Sequence, residues 1–141
     1  MEDFEKYRSQ WAVGPWSNEP DRVEWIDSAT NLPCLIVRNR ELGHLCGYVG
    51  VPSSHPCFGR DYDEVDCEVH GGLTYANECS GEICHKANQE VWWFGFDCAH
   101  LFDLSPWMKG RNEHSPHDVY RDIPYVRSEC EKLAAELKEK C

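Results

Sequence analysis

Residues 91–98 read VWWFGFDC, a run that admits few folds. In an extended chain, successive side chains point to opposite sides. Trp92, Phe94, Phe96 and Cys98 then share one face, and Trp93, Gly95 and Asp97 share the other. An aromatic face of that width needs a second layer to cover it. Similar runs recur at RVEWID, CLIVRN, HLCGYVGVP and CEVHGGLTYA, separated by stretches rich in Gly, Pro, Ser and Asp that read as turns and loops. In RVEWID, Val23 and Trp25 fall on one side.

The covering layer is legible at the carboxyl end. Asp122 suits a helix cap and Pro124 a first turn, and YVRSECEKLAAELKEK continues as a helix. Val126, Cys130, Leu133 and Leu137 form its apolar stripe, with Ala134 beside them, and Lys138 and Lys140 complement the negative end of its dipole. The expectation is an α+β fold, a mainly antiparallel β-sheet with a C-terminal amphipathic helix packed on one face. Phe4, Tyr7 and Trp11 fall at helical spacing and predict a short helix over Glu2–Trp11. With 141 residues the chain reads as a single domain over 1–141.

Charge narrows the function classes. A net charge of −11 repels phosphate backbones, so direct nucleic-acid binding is not expected. A small anion met by local arginines, or a basic protein partner, is compatible with it. No apolar run approaches the roughly 18 residues of a membrane helix. The start, MEDFEKYRSQW, lacks the apolar centre of a targeting peptide, so a cytoplasmic location is expected. The nine cysteines are then read as mostly reduced thiols, with Cys34, Cys46 and Cys98 acting as small apolar residues.

The reverse faces of two runs raise a question of function. In VHGGLTY, Val69, Gly71, Leu73 and Tyr75 alternate with His70, Gly72 and Thr74. If this run pairs with VWWFGFD, one face carries His70, Gly72, Thr74, Trp93, Gly95 and Asp97. Glycine inside a strand marks close approach by a ligand or by another segment. The first option predicts a polar pit with Gly72 and Gly95 as its floor. Tyr48, Trp93 and His70 would wall it, Asp97 would close its end, and His100 would reach back from the following loop. Arg38 would be the nearest contact for an anion. Under the second option the glycines admit another segment, such as one carrying Trp16 or Trp25, and the His–Asp pair is a buried hydrogen bond.

Several constellations could carry chemistry. DCAHLFD, together with His70, supplies His70, Asp97, His100 and Asp103, a set suited to a metal with open positions or to acid–base work. CSGEICH offers Cys79, Cys84 and His85 as a zinc clip, with Cys67 or Cys57 as a fourth ligand, although a matching second half is missing. HGG has no GxSxG partner, which removes the esterase reading. Cys98 with His100 lacks the cations or helix start that would make a thiolate. FGRDYDEVD is acid-rich but lacks the ligand alternation of a calcium loop.

GHLCGYVGVPSSHP, YDEVDCEVHGGLTY, WWFGFDCAHLFDLSP and YRDIPYVRSECEKLA together resemble a group of small proteins encoded by phages and prophages, over residues 34–137. The Glu78–His85 loop is outside the resemblance. The resemblance implies a phage accessory protein in the host cytoplasm and, by analogy of setting, interference with host defence. In that setting the pit would withhold a nucleotide-like signal: Trp93 and Tyr48 would stack a base, Arg38 would meet a phosphate, and Asp97 would accept from a ribose hydroxyl. Two alternatives stand beside it. One is a metal-dependent or acid–base hydrolase using His70, Asp97, His100 and Asp103. The other is an acidic protein that binds and inhibits a host defence factor. No particular cofactor is implied.

Overall fold

Five antiparallel strands form one sheet in this computed structural model, which describes residues 8–9, 11–85, 90–110 and 115–140. The strands are β1 (Arg22–Ile26), β2 (Pro33–Arg38), β3 (Leu45–Pro52), β4 (Tyr75–Glu78) and β5 (Val91–Asp97), in spatial order β1-β2-β3-β5-β4. A short helix α1 (Pro106–Gly110) and a long one, α2 (Ile123–Glu139), follow. This is the expected α+β architecture. Residues 1–7 and 10, where most of the helix expected over Glu2–Trp11 falls, lie outside the described residues. None of the described helices is long and apolar enough to cross a membrane.

Helix α2 forms where its caps and stripe place it. The Asp122 carboxylate accepts from the Tyr125 backbone N–H at 3.0 Å. Val126, Cys130, Leu133, Ala134 and Leu137 are fully buried against the face made by Cys34, Ile36, Leu45, Val49, Phe94 and Phe96. Val23 and Trp25 pack on the same layer, and the Arg127 guanidinium lies 4.6 Å above the Trp25 ring. Gly47 lets the helix approach. A Cβ there would stand 2.5 Å from Phe96 Cζ and 2.7 Å from Cys130 Sγ.

The run CEVHGGLTYA is strand only from Tyr75 onward. Gly71 and Gly72 adopt φ of 69° and 78°, so HGG makes a turn. The amides before it are taken by the helix: Glu68 N–H donates to Glu136 and His70 N–H to Glu129, at 3.1 and 2.8 Å. The turn shifts the alternation. Tyr75 lands opposite Gly95, on the sheet face away from α2, and not on the core face expected for it.

That second face is also covered. Leu35, Val37, Tyr48, Val91 and Trp93 form a smaller buried cluster, with Ile83 packed on it. Ile83 belongs to a flap, residues 79–85, closed by a Cys79–Cys84 disulfide. Arg22 donates to the carbonyls of Glu82 and Cys84, and Arg40 pairs with Glu82. The zinc clip suggested by CSGEICH is therefore replaced by a disulfide. Cys34, Cys46, Cys67, Cys98 and Cys130 are free thiols, whereas Cys57 is disulfide-bonded.

Arg38 departs from its expected role as an anion contact. Its side chain is fully buried, and all five N–H donors are used. Nε donates to Asp21 at 2.8 Å. Nη1 donates to the Gly43 carbonyl and the Tyr120 hydroxyl, both at 2.8 Å. Nη2 donates to Glu19 and the Pro20 carbonyl, at 3.3 and 3.2 Å.

Two stability measurements follow from this packing. Leu133→Ala, which empties a fully buried site beneath α2, is expected to cost about 2–5 kcal/mol in urea unfolding. Arg38→Ala strips the Gly43 and Pro20 carbonyls and Tyr120 of their buried partner, while Asp21 keeps Arg8 and Glu19 keeps the Ile123 N–H, and is expected to cost about 3 kcal/mol by the same assay.

Candidate functional site

The residues expected in one pit divide into two groups. Tyr48, Trp93 and Gly95 lie on the second face, but no open floor remains there. A Cβ on Gly95 would stand 2.4 Å from Tyr48 Cδ1, and the Tyr48 ring meets Tyr75 edge-on at 5.3 Å. The glycine makes room for its cross-strand tyrosine, as an edge or central glycine beside an aromatic does. Trp93 is fully buried, with the His85 ring nearly parallel to it at 6.4 Å. Gly72 sits at the HGG turn beside a hollow lined by Tyr62, Asp66 and Leu73, away from any such floor.

The second group gathers at the carboxyl end of β5. Asp97 ends that strand, and Thr74 Oγ1 donates to its carboxylate at 3.2 Å. His100 follows in the next turn, with Nε2 3.1 Å from Asp97 Oδ1. The two are at ion-pair distance but lack hydrogen-bond alignment, which leaves the buried Nε2 without a hydrogen-bond partner among the described residues. Gly71 makes space for this ring. A Cβ there would be 2.2 Å from His100 Cδ2, a second reason for glycine at the turn. The His70 and His100 ring centroids are 6.1 Å apart.

His70 and Asp97 were expected to meet by sharing a strand face. The HGG turn instead swings His70 to the α2 side, and His100 spans the distance back to Asp97. His70 is held at both nitrogens. Nε2 lies 2.8 Å from Asp103 Oδ2, and Nδ1 lies 2.7 Å from the Tyr125 hydroxyl. With Asp103 ionised, Nε2 carries the proton that faces it, and the Tyr125 hydroxyl meets Nδ1 from the other side.

Asp103 is the hub. Burial by itself would raise its pKa, but hydrogen bonds from His70, the His100 backbone N–H and Arg121 outweigh burial and hold it below the usual value. Arg121 Nε donates to Oδ1 at 2.9 Å, and its guanidinium lies over the Tyr125 ring. His70, Asp97, His100 and Asp103 are thus brought together, but as interlocking pairs. Among the described residues, no group of three or more His, Cys, Asp and Glu could hold a metal ion. Cys98, beside this cluster, is buried and its thiol pushed upward, the reverse of what a nucleophile needs.

A cleft of about 460 Å³ opens next to His100. Its walls include Leu42, Leu101, Phe102, Trp107 and Met108. Leu101 and Phe102 are exposed. Phe102 also holds φ of 71°, a strained conformation for a bulky residue. It is fixed there by Val119 N–H donating to the Phe102 carbonyl at 2.7 Å. Sequence reasoning missed Arg121, Tyr125 and these cleft walls. The available signal was apolar residues recurring in the otherwise irregular HLFDLSPWM.

No family model matches this chain, and neither curated proteins nor solved structures contain a significant match to it.

The depressed Asp103 pKa has a sign that can be measured. Its stabilising contribution is fully present above the ordinary value of 3.8 and is lost as pH falls through the lower folded-state value. Wild type should therefore be more stable than Asp103→Asn at pH 5–7, and the gap should close as pH is taken well below 3.8, as read by urea midpoints across that range.

Proposed function

We propose that this protein binds a small ligand at the carboxyl end of β5, one with a flat ring and a hydrogen-bonding polar portion. The observation that carries this is the 460 Å³ cleft with apolar walls and the partly exposed His100 at its polar end, set there by Asp97. Ligand clefts of about 300–1,000 Å³, mostly apolar with a few placed polar groups, follow this pattern. Phe102 and Trp107 give the cleft aromatic walls.

The ionisable lining of the cleft is His100, Asp103 and Asp118. Asp103 is fully engaged by its neighbours, and Asp118 accepts from the Ser115 N–H. This supports a ligand with neutral hydroxyl or amino groups. Within the nucleotide-like class it favours the nucleoside end over a polyphosphate, which the net charge also disfavours. In the phage setting that the resemblance implies, such a binder would withhold a host signal from its receptor.

A second reading is acid–base catalysis, favoured by one contact. His100 is partly exposed beside the cleft, and its buried Nε2 faces the Asp97 carboxylate at 3.1 Å, which leaves the rest of the ring accessible. Here His100 would accept a proton from water or from a ligand hydroxyl.

Calorimetry and thermal shift with the four common nucleosides and their monophosphates test both readings. At least one nucleoside should raise Tm and bind, and His100→Ala should weaken that binding about tenfold, the loss of roughly 1.4 kcal/mol of contact. Chromatography of the same mixtures separates retention from turnover. An unchanged Tm with every compound at millimolar concentration would remove the proposal.

A further inference from the structure

We propose that the turn over residues 100–103, together with Val119, is a docking surface for a basic partner protein. Leu101, Phe102 and Val119 seat against the apolar face of an amphipathic segment, and Asp97 and Asp118 attract its Lys and Arg side chains. This goes beyond the ligand reading of the cleft, whose rim the same turn supplies.

Three large apolar side chains stand together in solvent here. Leu101 is 82% exposed, Phe102 52% and Val119 48%. The backbone fixes their adjacency. The Val119 N–H donates to the Phe102 carbonyl at 2.7 Å, and the Leu104 N–H donates to the Val119 carbonyl at 2.9 Å. One exposed apolar residue is ordinary on a protein surface, whereas a contiguous group with a polar rim marks an interaction site.

The turn holds its two apolar residues outward. The Asp103 N–H donates to the His100 carbonyl at 2.9 Å, which puts Leu101 and Phe102 at the two central positions. The His100 N–H donates to the Asp103 carboxylate at 3.0 Å and closes the turn a second time. That carboxylate is anchored in its own right by His70 and Arg121. Phe102 takes a φ of 71° there, a conformation that turns ordinarily give to glycine or asparagine. Strained backbone persists where its surroundings over-determine it, and such positions cluster at functional sites.

Charge selects the occupant. Asp118 adjoins Val119 in the chain, and Asp97 lies against His100 at the base of the turn. Asp97 also meets Thr74 and the Ala99 N–H, and Asp118 meets the Ser115 N–H. Neither carboxylate has a Lys or Arg partner among the described residues. Arg121 is committed to Asp103, and Lys109 is the other described Lys or Arg between residues 97 and 121. With a net charge of −11, the chain repels a second copy of itself, an anionic membrane surface and nucleic acid, and attracts a basic protein. A patch of three apolar side chains matches one stripe of a helix, where residues three or four apart share a side.

The probe is a helix-forming peptide of Leu and Lys with its leucines on one face, followed by fluorescence anisotropy. It should bind wild type, whereas the same composition in scrambled order, and a twin with Glu in place of Lys, should not. Val119→Asp should weaken binding about tenfold, a loss of roughly 1.4 kcal/mol, although it adds the sign of charge that attracts the peptide. Asp97→Asn/Asp118→Asn should weaken binding and flatten its salt dependence. Val119 is not a wall of the cleft, so Val119→Asp should leave nucleoside calorimetry as in wild type. Peptide binding needs no nucleoside, so this proposal and the ligand reading can each fail alone. Should Val119→Asp not fold, Leu101→Asp repeats the peptide comparison. Undiminished binding by Val119→Asp, or equal binding of the scrambled peptide, shows that charge alone suffices and overturns the docking surface. Equal binding of the Glu twin, or no change in the double Asn variant, overturns the basic partner. A concentration-dependent dimer in sedimentation that Val119→Asp abolishes gives the face to a second copy and overturns the proposal as well.

Discussion

Burying a guanidinium is costly unless every donor finds a partner, and Arg38 meets that condition through three separate parts of the chain. Glu19–Asp21, the turn at Gly43, and Tyr120 converge on it. Glu19 extends the network, because its second carboxylate oxygen accepts from the Ile123 N–H at the first turn of α2. The start of the helix is thereby positioned from the end of β2. Arg121 and Tyr125 flank that start, so the two groups that meet the Asp103–His70 pair, one just before α2 and one in its first turn, are placed by a network on the far side of them. The arginine that the sequence suggested as a ligand contact positions the site from a distance.

The two inner strands show how the sheet fits a layer on each face. Gly47 of β3 lies opposite Phe96 of β5, and Gly95 of β5 lies opposite Tyr48 of β3. Each glycine yields its space to an aromatic ring, and the two substitutions face opposite sides of the sheet. On one side the result is close contact between Phe96, Gly47 and Cys130 of the helix. On the other, Tyr48 lies down over Gly95 and is met by Tyr75. Glycine in these strands therefore serves packing.

The sheet-end cluster is built differently, from hydrogen bonds that cross between elements. Asp103 collects His70 from the HGG turn, the His100 backbone from its own loop, and Arg121 from the approach to α2. Because its partners come from three segments, its geometry is over-determined, and His70 has no freedom left at either nitrogen. His100 is the exception. It is partly exposed, adjoins the apolar cleft, and has an imperfectly matched ring nitrogen. In a cluster where the other groups are committed to structure, His100 is the one whose ring is partly exposed, although its unpartnered Nε2 is itself buried.

Alternation along VWWFGFDC, the spacing of Val126, Cys130, Leu133 and Leu137, and the cap at Asp122 were enough to specify the sheet, the helix and the face they share. These are local periodicities, and burial of one apolar face leaves little choice of register. The association of Asp97, His100 and Asp103 was legible for the same reason, since they lie within seven residues of one another. What the glycines were for was not legible. Whether Gly95 faces a ligand or a tyrosine depends on which residue stands across the strand, and the HGG turn is met by Glu129 and Glu136, some sixty residues away, which take the amides of His70 and of Glu68 just before it. The flap over Trp93 is likewise held from β1 by Arg22. Those outcomes belong to long-range contacts, whose energies no local pattern records, and only the tertiary structure decided them.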